Sequence, residues 1–329
     1  MKNIFNFIVE KNTNYTYLSL YLGYLFTLFL TKYLITSVVF PSLFYIILGY
    51  VLGAIIVLSV LNLFRVVKIN NVDYRDIKGI ITYSVCYGLA LLTSVIGLHK
   101  LSLPTFVIIK GTSIIFTCII NYFSFNLVQS TRSRFLSLLV ILMILLSYMT
   151  DTKDSTIGYF AAILHAFLMS QGKHIYKRTI NHATFNIPTL IFYSSTIVII
   201  PIILFAHING DSAVIIFFFR HNFISHSTVY LYVFLSLIGI PLNFMNLIPK
   251  ERQSFDNNNY LKNIIGLISI FGGMIFTGDY DFNFINFVSI SLGFVFLSLL
   301  NLEVSQYYID EHVQLLPQII SGQKLHDDK

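Results

Sequence analysis

Apolar stretches of about twenty residues recur along the whole chain between short polar segments, and that is the length a helix needs to cross roughly 30 Å of hydrocarbon. Backbone groups in lipid must be satisfied within the protein, so such stretches are either helices or strands of a closed barrel. Barrel strands alternate apolar and polar residues over about ten positions, and a run such as Phe284 to Leu300 has no such period. Charged residues make up 11% of the chain and hydrophobic ones 56%, whereas a soluble domain carries roughly a quarter charged. The expected fold class is therefore all-α, a polytopic membrane protein.

Spans are predicted near residues 15–37, 42–64, 79–98, 104–124, 134–150, 157–177, 188–208, 227–248, 257–277 and 284–301. With both termini cytosolic, the cytosolic side collects Lys2, Lys11, Arg65, Lys68, Arg75, Lys78, Arg132, Arg134, Lys173, Lys177, Arg178, Lys250, Arg252, Lys324 and Lys329. The opposite side keeps only Lys100, Lys153 and Arg220. This is the positive-inside asymmetry expected of an even number of spans, and a missed span would scramble it. Orientation thus accounts for the net charge of +6, and no basic and aromatic stripe suggests nucleic acid as a partner. The first eleven residues lack a small-residue cleavage pattern, so no removable signal peptide is expected. Cys86 and Cys118 lie in apolar runs and read as small hydrophobes rather than a disulfide pair.

Asp151, Lys153 and Asp154 interrupt the chain near its midpoint. They divide it into a first five-helix repeat, residues 1–150, and a second, residues 151–302, followed by a cytosolic tail, residues 303–329. Halves with an odd number of spans have opposite orientations, so ten helices built as 5+5 form an inverted repeat, with a substrate site near the midplane between the halves.

Three lysines remain inside apolar runs: Lys32, Lys110 and Lys262. A lysine at the bilayer centre costs roughly 2.5 to 3.5 kcal/mol on insertion scales, so each needs a reason. Lys110 and Lys262 fall in the fourth and ninth spans, equivalent positions of the two halves, and could face one cavity from opposite directions. Such a pair implies an anionic cargo, for which a diphosphate is well suited. The alternative is that each ammonium snorkels to the nearer headgroups, the favoured reading for Lys32, which lies close to Pro41. His165 and His174 in the sixth span read as a proton relay or as packed histidines, with packing preferred. Gly49 and Gly53 form a small-xxx-small helix contact. No Asp or Glu falls securely inside a span, which disfavours a proton- or sodium-driven pump.

Several segments, in order, resemble nucleotide-sugar transporters of the drug/metabolite transporter superfamily. Thr31-Lys32-Tyr33-Leu34 followed by Phe40-Pro41-Ser42-Leu43-Phe44 is similar to the first span, and Leu101-Ser102-Leu103-Pro104-Thr105-Phe106 leading to Lys110 to the fourth. Gly158-Tyr159 resembles the start of the sixth span, and Phe192-Tyr193 then Pro201 the seventh. Leu261-Lys262-Asn263, Gly278-Asp279-Tyr280 and Asn286-Phe287 resemble the ninth span, its luminal turn and the tenth. The resemblance implies a secondary transporter, not an enzyme, that exchanges a cytosolic nucleotide sugar for a luminal nucleoside monophosphate without a cofactor. It also implies a Golgi or endoplasmic reticulum membrane, and a homodimer is compatible with it. Tyr193, Ser194 and Ser195 would lie near the base and Tyr260, Lys262 and Asn263 near the phosphates, with Lys110 and, as a further candidate, Lys32.

Members that carry GDP-mannose show Phe-Tyr-Asn-Asn and Gly-Ala-Leu-Asn-Lys where this chain has Phe192-Tyr193-Ser194-Ser195 and Asn259-Tyr260-Leu261-Lys262-Asn263. A serine offers one hydroxyl in place of a carbonyl and two N–H donors, so the base must be read differently. This favours a UDP-sugar such as UDP-N-acetylglucosamine. An exchanger of phosphorylated sugars or other small metabolites from the same superfamily would share the ten spans. An integral membrane enzyme is disfavoured because no Asp-rich prenyl-pyrophosphate motif and no His-Glu-x-x-His helix is present.

Overall fold

The computed structural model describes residues 13–72, 76–125, 128–151, 155–182, 186–221, 225–239 and 255–324, and all regular structure among them is helical. The helices are α1 (Thr13–Thr36), α2 (Leu43–Leu63), α3 (Ile77–Lys100), α4 (Leu103–Gly111), α5 (Ser113–Phe125) and α6 (Thr131–Thr150). They continue with α7 (Thr156–His182), α8 (Ile187–Ile208), α9 (Asp211–Arg220), α10 (His226–Ile238), α11 (Phe255–Phe276) and α12 (Phe284–Lys324).

Among the described residues, seven stretches are long and apolar enough to cross a membrane: Leu18–Thr36, Leu43–Leu63, Ile77–Lys100, Leu103–Ser124, Thr131–Thr150, Ile187–Ile208 and Phe284–Gln306. His226–Ile238 and Leu261–Phe276 are shorter apolar helices, and α7 carries Lys173, His174 and Lys177 toward its C-terminal end. The protein is thus a multi-pass, all-α membrane protein whose outward faces, such as Leu138, Ile141 and Leu145 on α6 and Ile200, Ile203 and Leu204 on α8, are apolar and exposed.

Helix starts follow local chemistry. Ser42, Ser130, Asn186 and Ser225 cap α2, α6, α8 and α10 by accepting from the N–H three residues on. Pro104 and Pro188 occupy first turns, where a missing N–H costs nothing. Three features depart from the predicted spans. The fourth span is broken, because Thr112 turns its hydroxyl and its N–H back on the Ile109 carbonyl at 2.6 and 3.0 Å, a side-chain bond that competes with helix propagation. A ten-residue helix, α9, follows Gly210; it is too short to register as a span. The last helix runs on without a break past residue 301 to Lys324.

The most extensive packing joins α3 with α7, α6 with α12, α2 with α8 and α10, and α3 with α8. The pairs α4 with α7, α4 with α11, α1 with α11 and α1 with α10 also pack. Gly49 and Gly53 serve the α2–α10 contact: a side chain on Gly53 would be driven into the Ser236 carbonyl, and one on Gly49 into Tyr232. The main core runs through α1–α4, α7, α8 and α10, with smaller clusters between α5, α6 and α12 and between α4, α11 and α12.

Candidate functional site

The three intramembrane lysines have different surroundings. Lys32 is only 1% exposed. Its ammonium donates to the carbonyls of Leu98 and Leu101 at 2.5 and 2.6 Å and pairs with Asp279 Oδ2 at 2.7 Å. An ammonium has three donors, and here all three point at protein oxygens. Lys32 therefore does not snorkel to headgroups; it ties α1 to the α3–α4 junction and to the turn before α12. Gly278 builds that turn, since its φ of +63° suits a residue without Cβ. The Thr277 hydroxyl bonds the other Asp279 oxygen.

Lys110 reaches from the end of α4 to α1, where Nζ donates to the Tyr24 hydroxyl at 2.9 Å and lies 4.5 Å from the ring centroid. Lys262, on α11, donates to Asn301 Oδ1 on α12 at 3.0 Å. The helices that carry this pair, α4 and α11, pack directly on one another, with Gly273 close against Leu103 and Pro104. Asn263 is half-buried beside Lys262. Tyr260 belongs to α11, but its side chain lies outside the described residues.

On α8, Tyr193 is half-buried, edge-on to Phe192 at 5.5 Å, and packs on the main core. Ser194 and Ser195 are fully buried, and neither hydroxyl closes a hydrogen bond. The Ser195 hydroxyl faces that of buried Tyr87 on α3, close enough for the two to interact. His165 turns Nδ1 to the Ala90 carbonyl at 2.8 Å and packs near Phe106, as a packed histidine would. His174 lies 3.4 Å from the Ser124 hydroxyl.

At about 1.5 Å per residue, Tyr87, Lys110, Ser195 and Lys262 lie about 10 to 15 Å from the starts of their helices, and Lys262 is the second residue of the apolar part of its helix, Leu261–Phe276. A crevice too narrow to admit a water molecule lies between α4, α6, α7 and α12, lined by Thr105, Ser147, Tyr159 and Ser289 among apolar residues. The serines and lysines are not in one cluster, since α8 and α11 do not pack extensively on each other.

No protein-family model matches the chain. It is 22% identical over 272 residues, 83% of this chain and 82% of the other, to the "UDP-sugar transporter sqv-7" of Caenorhabditis elegans. It is 20% identical over 265 residues, 79% of each chain, to the mouse (Mus musculus) "Nucleotide sugar transporter SLC35D2". With the "UDP-sugar transporter UST74c" of Drosophila melanogaster it shares 22% identity over 264 residues, 79% of this chain and 69% of that one. Over most of its length the chain is thus similar to nucleotide-sugar transporters.

Three of these residues, Tyr24, Tyr87 and Asn301, have no role assigned from the sequence, and a fourth, Asp279, has a motif there but no partner. Tyr24 and Tyr87 are tyrosines among twenty-one, and nothing in their spacing sets them apart. Asn301 carried a usable signal, an amide inside the last apolar run. Asp279 stood in the Gly278-Asp279-Tyr280 turn, but its partner, Lys32, lies at the other end of the chain.

Proposed function

We propose that this transporter exchanges a cytosolic nucleotide sugar for a luminal nucleoside monophosphate, with a UDP-sugar as cargo and UDP-N-acetylglucosamine as the first to test. The observation that carries the proposal is the pair Lys110 and Lys262, two ammonium groups each about 10 Å from the start of its own helix, on the directly packed helices α4 and α11. Lys32 is engaged by Asp279 and two carbonyls; Lys110 rests on a neutral phenol that a phosphate oxygen can replace at little cost. The names of these relatives support the cargo class, two of the three being called UDP-sugar transporters.

The same reading takes the chain as ten spans in two inverted repeats, residues 1–150 and 151–302, with α4 and α5 forming one broken span and α9 lying outside the count. Exchange each span for the one five places on, and α3 with α7 becomes α10 with α1, α2 with α10 becomes α8 with α3, and α4 with α7 becomes α11 with α1. All of these pairs are packed, and α2–α8, α4–α11 and α6–α12 map onto themselves. That pattern supports a pseudo-twofold axis between the halves. Both termini are placed in the cytosol and the protein in the Golgi or endoplasmic reticulum membrane.

The test is counterflow in proteoliposomes loaded with UMP and supplied with labelled UDP-N-acetylglucosamine. Lys262→Ala is expected to bring uptake to background with expression and membrane insertion unchanged. Undiminished uptake by that variant overturns the proposal.

A further inference from the structure

Between α8 and α10 the chain does more than turn. Asn209 caps α8, Gly210 takes a φ of +79°, and the ten residues of α9 follow at once. At 1.5 Å per residue α9 is about 15 Å long, half of a hydrocarbon core roughly 30 Å thick. It therefore stays on the side of the membrane where α8 ends. Only Asn209 and Gly210 separate the two helices, so α9 starts within about 10 Å of the end of α8.

The two faces of α9 differ. The helix packs on α8, with Ile215 buried and Asp211, Ser212 and Phe218 half-buried. Ala213, Val214, Ile216 and Phe217 are exposed, Ile216 at 65% and Phe217 at 51%. A face of this composition is unfavourable in water. The helix has one acidic residue, Asp211, and one basic residue, Arg220. Asp211 accepts from the hydroxyl of Ser42, the cap of α2, and is thereby turned toward the protein. Arg220 is exposed at the opposite end, where a cation complements the helix dipole. The exposed face thus carries apolar side chains and a cation.

The preceding span indicates what covers that face. Its last turns expose Leu204, Phe205 and Ile208, side chains that meet acyl chains in a membrane-spanning helix, and α9 resumes the same composition three residues later. Where acyl chains give way to headgroups, apolar side chains are accommodated and a guanidinium finds phosphate oxygens. A protein partner would have to enter that layer to reach them.

We propose that α9 is an interfacial helix, lying at the boundary of headgroups and acyl chains between α8 and α10, with Val214, Ile216 and Phe217 against lipid and Arg220 level with the phosphates. The partner of this surface is the phospholipid leaflet, the luminal one in the reading above. Through Asp211 and Ser42 the same helix ties that surface to the start of α2. The inference needs α8 and α10 to be spans, and it is independent of the cargo.

The chain contains no tryptophan, so Phe217→Trp places a single indole on this face. The full-length variant is reconstituted into phosphatidylcholine vesicles, with bromine either on acyl carbons near the headgroup or near the chain ends. Leu142→Trp, on the exposed side of α6 near its middle, reports on the bilayer centre. Phe217→Trp is expected to lose most of its fluorescence to bromine near the headgroup and less to bromine near the chain ends, and Leu142→Trp the reverse. Ile216→Trp is expected to match Phe217→Trp, which guards against a local misfold at one position. Quenching of both α9 variants by aqueous iodide but by neither bromolipid overturns the inference, because the face is then in water. Quenching by none of the three means that protein covers the face and overturns it too. So does quenching by chain-end bromine as strong as for Leu142→Trp, which would put α9 inside the core. Counterflow is not read here, so a failure of the transport reading in wild-type protein leaves this inference standing.

Discussion

Lys32, Lys110 and Lys262 are the same side chain in similarly apolar company, and what separates them is the oxygen each one meets. Lys32 meets a carboxylate in a dry setting, with both partners almost fully buried. Removing one member of such a pair leaves the other charge without compensation and costs about 3 to 5 kcal/mol, whereas replacing both with apolar residues is often tolerated. Lys32→Met is therefore expected to lower the melting temperature sharply in detergent, and Lys32→Met combined with Asp279→Leu to recover much of the loss. A double variant no more stable than Lys32→Met would show that the ion pair is not what Lys32 contributes. The sequence made all three lysines conspicuous, because a charge in an apolar run stands out on its own. It set Lys32 apart from the other two but gave it to the headgroups, since its partner Asp279 comes from the α11–α12 turn and such a pairing arises only on folding.

Helices were far more legible than their contacts. Hydrophobic length and capping residues are local properties, so α1, α2, α3, α6 and α8 begin and end within a few residues of the predicted spans. The break at Thr112 and the short α9 were not legible, because one depends on a hydroxyl choosing a carbonyl within its own helix and the other is below span length. Gly49 and Gly53 announced a close approach but not the partner, which is α10. Even one methyl group at Gly53 meets backbone at Ser236, and backbone cannot rotate aside, so overpacking of about 1 to 3 kcal/mol is expected. Gly53→Ala should thus destabilise the protein in thermal melts. Gly172→Ala is the control, since its new carbon finds only Tyr83 at 3.7 Å; it should be neutral or stabilising by up to about 1 kcal/mol, as for glycine to alanine within a helix. Equal effects at the two positions would rule out the α2–α10 approach as the reason for Gly53.

For the whole molecule, topology and charge bias make a joint demand that single residues do not. If two five-span halves are inverted, every loop of the second half must appear on the side dictated by an odd number of crossings before it, and the cationic loops must all face the cytosol. The native cysteines offer little background for testing this, Cys118 being buried and Cys86 half-buried within α3. Single cysteines at Arg65 and Arg132 in the first half, and at Lys250 in the second, are expected to react with a membrane-impermeant maleimide in sealed, cytosol-side-out vesicles. Cysteines at Ser155 and His221 should react only after permeabilisation. The two halves are diagnostic in combination. If α10 does not cross, Lys250 moves to the protected side while Arg65, Arg132, Ser155 and His221 keep theirs; if α7 does not cross, His221 and Lys250 exchange sides together. Either pattern breaks the inversion, and with it the reason for regarding Lys110 and Lys262 as counterparts approaching one cargo from opposite faces of the membrane.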